Sequence, residues 1–181
     1  MPLSGQHNVR NACAAAAIAL AAGIDIADIK AALESVQPVD GRLRRLAGIN
    51  GSTIYDDSYN ANPLSVVAAA EFLASLPGDK LLVLGDMGEL GDDAPRLHAE
   101  TGAQIREAGV PRLLATGDLS RNTVEGFGEG ASWCADVDEL TARLKPELHA
   151  NANILVKGSR FMQMERVVEA LRDPQAVSEG A

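Results

Sequence analysis

Aromatic side chains are scarce in this chain: three Phe, two Tyr and one Trp among 181 residues. A core must therefore come from Ala, Val, Leu and Ile, which the 46% hydrophobic content supplies. Cysteine is nearly absent. Cys13 and Cys134 lie far apart in no metal-ligand spacing, and are expected to be reduced, buried and structural. A reducing, cytoplasmic setting fits them. No apolar run is long enough for a membrane span, since the longest, Ala12 to Ala22, reaches about half of what one needs. Met1-Pro2-Leu3 lacks the basic start of a signal peptide. Cations are outnumbered, 16 Lys and Arg against 25 Asp and Glu, and the net charge of −9 argues against nonspecific binding to nucleic acid or anionic membrane.

Further absences concern chemistry. There is no Gly-x-x-x-x-Gly-Lys-Ser/Thr phosphate loop. The Gly-x-Gly-x-x-Gly dinucleotide fingerprint is missing as well, which disfavours a nicotinamide oxidoreductase. His7, His98 and His149 are scattered without metal spacing, and His98 and His149 read as solvated helix residues. No metal site is expected.

What is present is alternation. Asn8 to Ala22 is an Ala-rich helix that Gly23 stops, and Ile26 to Ser35 is a second helix with Ile26, Ile29, Ala32 and Leu33 on one face. A linker rich in Pro, Gly and polar residues, Val36 to Gly41, marks a domain boundary. Asn50-Gly51, between Arg42–Ile49 and Ser52–Asp56, signals a tight hairpin. Helix 63–76 follows, capped by Asn62 and opened by Pro63, with Leu64, Val67, Ala68, Phe72 and Leu76 inward. Strands 80–84, 112–116, 131–134 and 153–156 then alternate with helices 94–108, 119–126, 137–148 and 161–172, and a tail beyond Asp173 is expected to fray. This order predicts an α/β fold, with a Rossmann-like, mainly parallel sheet of about six strands, one of them an antiparallel edge strand, flanked by helices and preceded by a short helical segment. Strands 80–84 and 153–156 are continuously apolar, as expected when both faces are covered.

Loops after parallel strands converge on one rim, the usual ligand side. Four such loops carry polar groups. Asp56-Asp57-Ser58-Tyr59-Asn60-Ala61-Asn62 leads into the first crossover helix. Asp57 could hold a ribose diol and Tyr59 could pack on a base, or Asp56 and Asp57 could simply shape the turn. Gly85-Asp86-Met87-Gly88-Glu89-Leu90-Gly91 is the second loop, Gly117-Asp118 the third, and Lys157-Gly158-Ser159-Arg160 the fourth. The fourth suits an anion, or carries ordinary surface charge at a helix start. In Gly5-Gln6-His7-Asn8-Val9-Arg10-Asn11, Asn8 and Asn11 stand one turn apart, which suits an adenine edge or a helix cap.

In order, Gly5-Gln6-His7-Asn8-Val9-Arg10-Asn11-Ala12, Gly41-Arg42-Leu43, Asp56-Asp57-Ser58-Tyr59-Asn60-Ala61-Asn62-Pro63, Leu84 to Gly91 and Leu155-Val156-Lys157-Gly158-Ser159-Arg160 resemble the Mur ligase family. The resemblance implies the last helices of a central ATPase domain (1–37), a C-terminal domain (41–173) and a tail (174–181). It implies ATP-dependent joining of D-alanyl-D-alanine to UDP-N-acetylmuramoyl-tripeptide in cytoplasmic cell-wall synthesis, with Mg²⁺ as cofactor. By the same resemblance, His7, Asn8, Asn11, Arg42, Asp57, Tyr59 and Asn60 serve ATP. Asn62, Asp86, Met87, Lys157, Ser159 and Arg160 surround the dipeptide, with Lys157 or Arg160 against its carboxylate. A free-standing nucleotide- or dipeptide-binding module without catalysis is the alternative. The family's phosphate loop, Mg²⁺ ligands, modified lysine and UDP-sugar domain have no counterpart in these residues. Alone, the chain is therefore expected to hydrolyse no ATP and to ligate nothing. A coupled phosphate-release assay with all substrates should stay at background, and turnover would overturn the expectation.

Overall fold

A computed structural model describes residues 6–36 and 40–175, with side chains from Asn8 onward. Helices α1 (Gln6–Ala21) and α2 (Ile26–Ser35) come first. Gly23 separates them at a φ of 82°, and the Asp25 carboxylate accepts the Ala27 N–H at 2.8 Å to cap α2. Ile29 is buried, whereas Ile26 and Ala32, expected beside it, are exposed. Cys13 is exposed too, contrary to the expectation of burial; only Cys134 is enclosed. Residues 37–39 of the expected linker lie outside the described residues.

The remaining elements are β1 (Arg44–Ala47), β2 (Thr53–Asp57), α3 (Pro63–Ala74), β3 (Asp79–Leu84), α4 (Ala94–Glu107), β4 (Leu113–Thr116), α5 (Ser120–Phe127), β5 (Ala131–Cys134), α6 (Val137–Leu144), β6 (Ala152–Lys157) and α7 (Glu165–Leu171). They form one six-stranded sheet in the order β1-β2-β6-β3-β4-β5. The β1–β2 pair at one edge is antiparallel, and every other pair is parallel. This is the sheet that the alternation of elements requires.

Side-chain period two sorts the strands into two cores. Tyr55, Leu82, Leu84, Leu113 and Leu155 join Val66, Leu73, Ile105 and Phe127 from α3, α4 and α5. Ile54, Leu81, Val83, Leu114, Ile154 and Val156 join Leu140, Leu144, Val167, Val168 and Leu171 from α6 and α7. Helices thus cover both faces, as the unbroken apolar runs of β3 and β6 demand. Connections from β2 and β3 run to the first face, and that from β6 to the second. Because β6 sits between β2 and β3, a crevice opens at the carboxyl ends of these three strands.

Several local readings need correction. The Asn-Gly turn is not a two-residue hairpin: pairing stops at Ala47 and Thr53, and residues 48–52 bridge the strands through a 3-10 turn, Ile49–Gly51. Asn50 and Gly51 do take positive φ, 59° and 76°, but Asn50 spends its side-chain amide on the Leu148 carbonyl at 3.1 Å. In α3 the buried residues are Val66, Ala69, Ala70 and Leu73, while Leu64 is 86% exposed. This helix is apolar almost all round, so periodicity alone could not orient it. Helix α6 ends at Leu144 because Pro146 lies in the next turn and cannot donate a helical hydrogen bond. Helix α7 starts at Glu165, after the 3-10 turn Arg160–Met162 and a left-handed Gln163. His98 is fully buried and His149 lies in the turn before β6, paired with Asp79 at 3.2 Å. Asp173 is tied to the edge strand through its N–H on the Ala47 carbonyl at 3.0 Å; residues 176–181 lie outside the described residues.

Helices α4 and α5 cross closely on glycine. A Cβ at Gly102 would sit 2.1 Å from the Thr123 carbonyl oxygen, and one at Gly126 would sit 2.0 Å from that of Ala99. Gly102→Ala should therefore lower stability by about 1–3 kcal/mol, the usual cost of overpacking. Urea unfolding would check this, and an unchanged midpoint would contradict it.

Candidate functional site

The three central strands end in register: Asp57 pairs with Lys157 across β2 and β6, and Leu84 pairs with Lys157 across β3 and β6. Lys157 closes β6 as a lysine only 4% exposed. An ammonium so placed needs compensation. Its Nζ donates to Asp57 Oδ2 at 2.7 Å and to the Asn60 carbonyl at 2.8 Å. The other oxygen of Asp57 accepts the Leu43 N–H at 3.1 Å, which binds the segment after the linker to the same knot.

Asp56, one residue earlier, shapes the turn. Its carboxylate accepts the Gly41 N–H at 3.1 Å, the Ser58 N–H at 3.1 Å and the Ser58 hydroxyl at 2.6 Å. Gly41 in turn accepts the Tyr59 N–H at 3.0 Å. With φ at 72° and the Tyr59 nitrogen 2.9 Å from where a Cβ would be, this position requires glycine. The result aligns Arg42 over the Tyr59 ring, 4.7 Å from its centroid.

Ser159 ties the rim crosswise. Its hydroxyl donates to the Ala61 carbonyl at 3.1 Å and accepts the Gly88 N–H at 2.7 Å, and its own N–H donates to the Asp86 carbonyl at 3.0 Å. The Gly85–Gly91 loop is also held from behind. The Asp86 carboxylate accepts the Ser120 N–H at 2.7 Å, the Ser120 hydroxyl at 2.6 Å and the Leu119 N–H at 3.2 Å at the start of α5. His98 Nε2 accepts the Met87 N–H at 3.0 Å, and Nδ1 lies 2.8 Å from the Ala94 carbonyl. Those partners select the tautomer with hydrogen on Nδ1. Met87 itself is a fully buried core side chain.

Two cavities flank the Tyr59–Asn62 wall. The larger, about 580 Å³, is lined by Tyr59 to Asn62, by Gly88, Glu89 and Leu90, and by Ser159, Arg160 and Phe161. The smaller, about 210 Å³, is lined by Gly41, Arg42, Asp57, Tyr59, Asn60, Asn62, Ser65 and Lys157. Lys157, grouped from the sequence with Ser159 and Arg160, lines the smaller cavity beside Asp57 and Arg42, while Ser159 and Arg160 line the larger. Asp86 and Met87 line neither cavity and support the wall from behind. Asn62 caps α3 by accepting the Ser65 N–H at 2.9 Å, yet also lines both cavities. Asn8 and Asn11 lie on α1, outside both linings, and the His7 side chain lies outside the described residues. Sequence reasoning missed Glu89, Leu90 and Phe161 as lining residues. The flanking Gly88 and Gly91 signalled a loop there, but Phe161 was read as part of a helix. Among the described residues, no group of three His, Cys, Asp or Glu side chains could hold a metal ion.

Removing one partner of the Lys157–Asp57 pair strands a buried charge. Asp57→Asn should destabilise by about 3–5 kcal/mol, and adding Lys157→Met should recover much of that loss. Denaturant titration of the two single variants and the double variant checks this; additive losses would contradict it.

Residues 41–160 match the family described as Mur ligase, glutamate ligase domain. The chain is 41% identical over 177 residues to the UDP-N-acetylmuramoyl-tripeptide–D-alanyl-D-alanine ligase of Escherichia coli (strain K12), covering 96% of this chain and 38% of that protein. It also superposes on MurF from Acinetobacter baumannii with a TM-score of 0.86 at 35% identity, covering 93% of this chain and 38% of that one. For MurF ligase from Thermotoga maritima in complex with ADP the TM-score is 0.79 at 25% identity, over 92% and 38% of the two chains. The chain thus spans about 38% of the length of the curated relative it matches. With the mixed sheet, the crevice at the ends of β2, β6 and β3 and the match over 41–160 all agreeing, this chain belongs to the Mur ligase family and carries its C-terminal domain.

Proposed function

We propose that this chain is the amine-substrate-binding and nucleotide-closing part of an ATP-dependent ligase that joins D-alanyl-D-alanine to UDP-N-acetylmuramoyl-tripeptide in peptidoglycan synthesis. The observation that carries the reading is the 580 Å³ cavity at the switch between connections, with amides on one wall and the Arg160 guanidinium on another. A small zwitterionic peptide needs such a site. The guanidinium fork matches a carboxylate, and the Asn60 and Asn62 side chains offer donors and acceptors to an amide bond.

Arg160 rather than Lys157 is the carboxylate partner in this reading. Lys157 is committed to Asp57 and Asn60, whereas Arg160 is two-thirds exposed and gives Glu165 one hydrogen bond of 2.8 Å. Arg160 therefore keeps donors for a ligand. Ser159, buried and bonded on both sides, fixes the floor.

The smaller cavity suits the nucleotide edge. Arg42, held over the Tyr59 ring, offers its guanidinium to phosphate, and the Asp57 carboxylate lines this cavity where ribose hydroxyls would donate to it. When bound, ATP would activate the acceptor carboxylate as an acyl phosphate, and this chain's residues would orient the nucleotide and exclude water as the domains close. The described residues do not fit Mg²⁺, so its ligands belong elsewhere in this reading.

Residues 1–37 read as the end of the ATPase domain and 41–173 as the C-terminal domain. Exposed Val9, Ile18, Leu20, Ile24 and Ile26 support that division, because apolar side chains left in water suit a neighbouring core. Asn8 and Asn11 then serve adenine at that junction, and the His7 side chain lies outside the described residues.

Calorimetric titration of D-alanyl-D-alanine into the chain tests the reading. Arg160→Ala should weaken binding about tenfold, the loss of one charge-assisted contact. Equal affinity of wild type and variant would overturn the Arg160 assignment.

A further inference from the structure

The larger cavity contains one free acid. Its titratable lining groups are Tyr59, Glu89 and Arg160. Arg160 bonds to Glu165, and Tyr59 lies under Arg42. Glu89 is exposed and, among the described residues, has neither a hydrogen bond nor an ion pair.

Its backbone makes that isolation informative. Glu89 has a φ of 62°, in the left-handed region that a non-glycine residue seldom occupies. Gly91 takes the same left-handed sign at a φ of 62°, as glycine readily does, but the first left-handed position of the loop falls on the glutamate. A glycine would take that conformation more easily, so the carboxylate is present despite local preference. The preceding residues are pinned in succession: Asp86 at the start of α5, Met87 on His98, and Gly88 on Ser159. Three consecutive anchors aim the next side chain. What they present to the cavity is an unpaired negative charge.

Resting on the reading of this cavity as the amine-substrate site, we propose that Glu89 is the specificity-determining residue that reads the free α-ammonium of the dipeptide. Arg160 follows β6 and Glu89 follows β3, and these strands are hydrogen-bonded neighbours. Both residues line the larger cavity, so it carries one group of each sign, as a zwitterion requires. Opposite charges on the walls fix its direction: carboxylate toward Arg160, ammonium toward Glu89. An N-blocked or desamino peptide would leave the acid without a partner. The site would therefore select a free amine before any chemistry begins.

Binding measurements on the chain separate this inference from the reading beneath it. The probes are D-alanyl-D-alanine, N-propanoyl-D-alanine (the same molecule without its amino group) and D-alanyl-D-alanine methyl ester, each followed by chemical-shift titration. Wild type should bind the dipeptide at least about fivefold more tightly than the desamino probe. Glu89→Gln should bring the two within about twofold, and Glu89→Asp should restore part of the preference. The ester should bind weakly to both wild type and Glu89→Gln, and Arg160→Ala should erase the difference between ester and acid. If wild type binds the desamino probe as well as the dipeptide, or Glu89→Gln keeps the preference while the ester is still rejected, the Glu89 assignment alone is overturned. If no probe shifts the cavity resonances, or the ester binds like the acid, the cavity reading fails and this inference fails with it. The desamino probe needs no substitution, so the test survives a variant that does not fold.

Discussion

A buried ammonium organises the rim of this domain. Lys157 ends the strand at the centre of the crevice, and its charge is met by a carboxylate from β2 and a carbonyl from the loop that follows. Taking an ammonium out of water costs several kcal/mol unless each partner is well placed. That cost is what gives the contact its organising effect. Asp57 must stay extended, the Asn60 carbonyl must turn inward, and Leu43 must approach to complete the carboxylate. Ser159, two residues on, carries the constraint to the next strand by holding the Ala61 carbonyl and the Gly88 N–H at once. Loops from three strands are thereby fixed by polar contacts that water cannot easily replace.

This arrangement divides labour between neighbouring residues. Asp56 and Asp57 are adjacent in sequence but point to opposite sides of β2, as strand geometry requires. Asp56 binds Gly41 and Ser58 and shapes the turn, while Asp57 faces the smaller cavity. Lys157 and Arg160 differ in the same way, one buried within the protein and one open to solvent. The Tyr59–Asn62 wall touches both cavities, so a ligand on one side and a ligand on the other share a single peptide segment.

The fold was readable because its signals are long-range and redundant. Apolar runs at 81–84 and 154–156 could only be strands covered on both faces, and helices between them forced parallel crossovers. Asn62-Pro63 marked the start of α3 within one residue. The failures were local. Leu64 looked inward because α3 is apolar on most sides, and only the packed sheet chooses its face. His98 looked solvated because nothing in a sequence reveals that a backbone N–H eleven residues earlier will turn toward its ring. Convergence of the loops at 57–62, 85–91 and 157–160 was legible from topology, but the split into two cavities was not. Whether Lys157 served a ligand or a neighbouring aspartate depended on register across β2 and β6, which pairing alone decides.

The central claim is that the amine substrate lies in the larger cavity, held by exposed groups on a rim made rigid by the buried pair. A crystal structure of this chain with D-alanyl-D-alanine tests it most directly. The account predicts density between the Tyr59–Asn62 wall and the Gly88–Leu90 loop, with the carboxylate on Arg160 and the Lys157–Asp57 contact intact. Dipeptide found on Lys157 in place of Asp57, or outside this cavity, would contradict it.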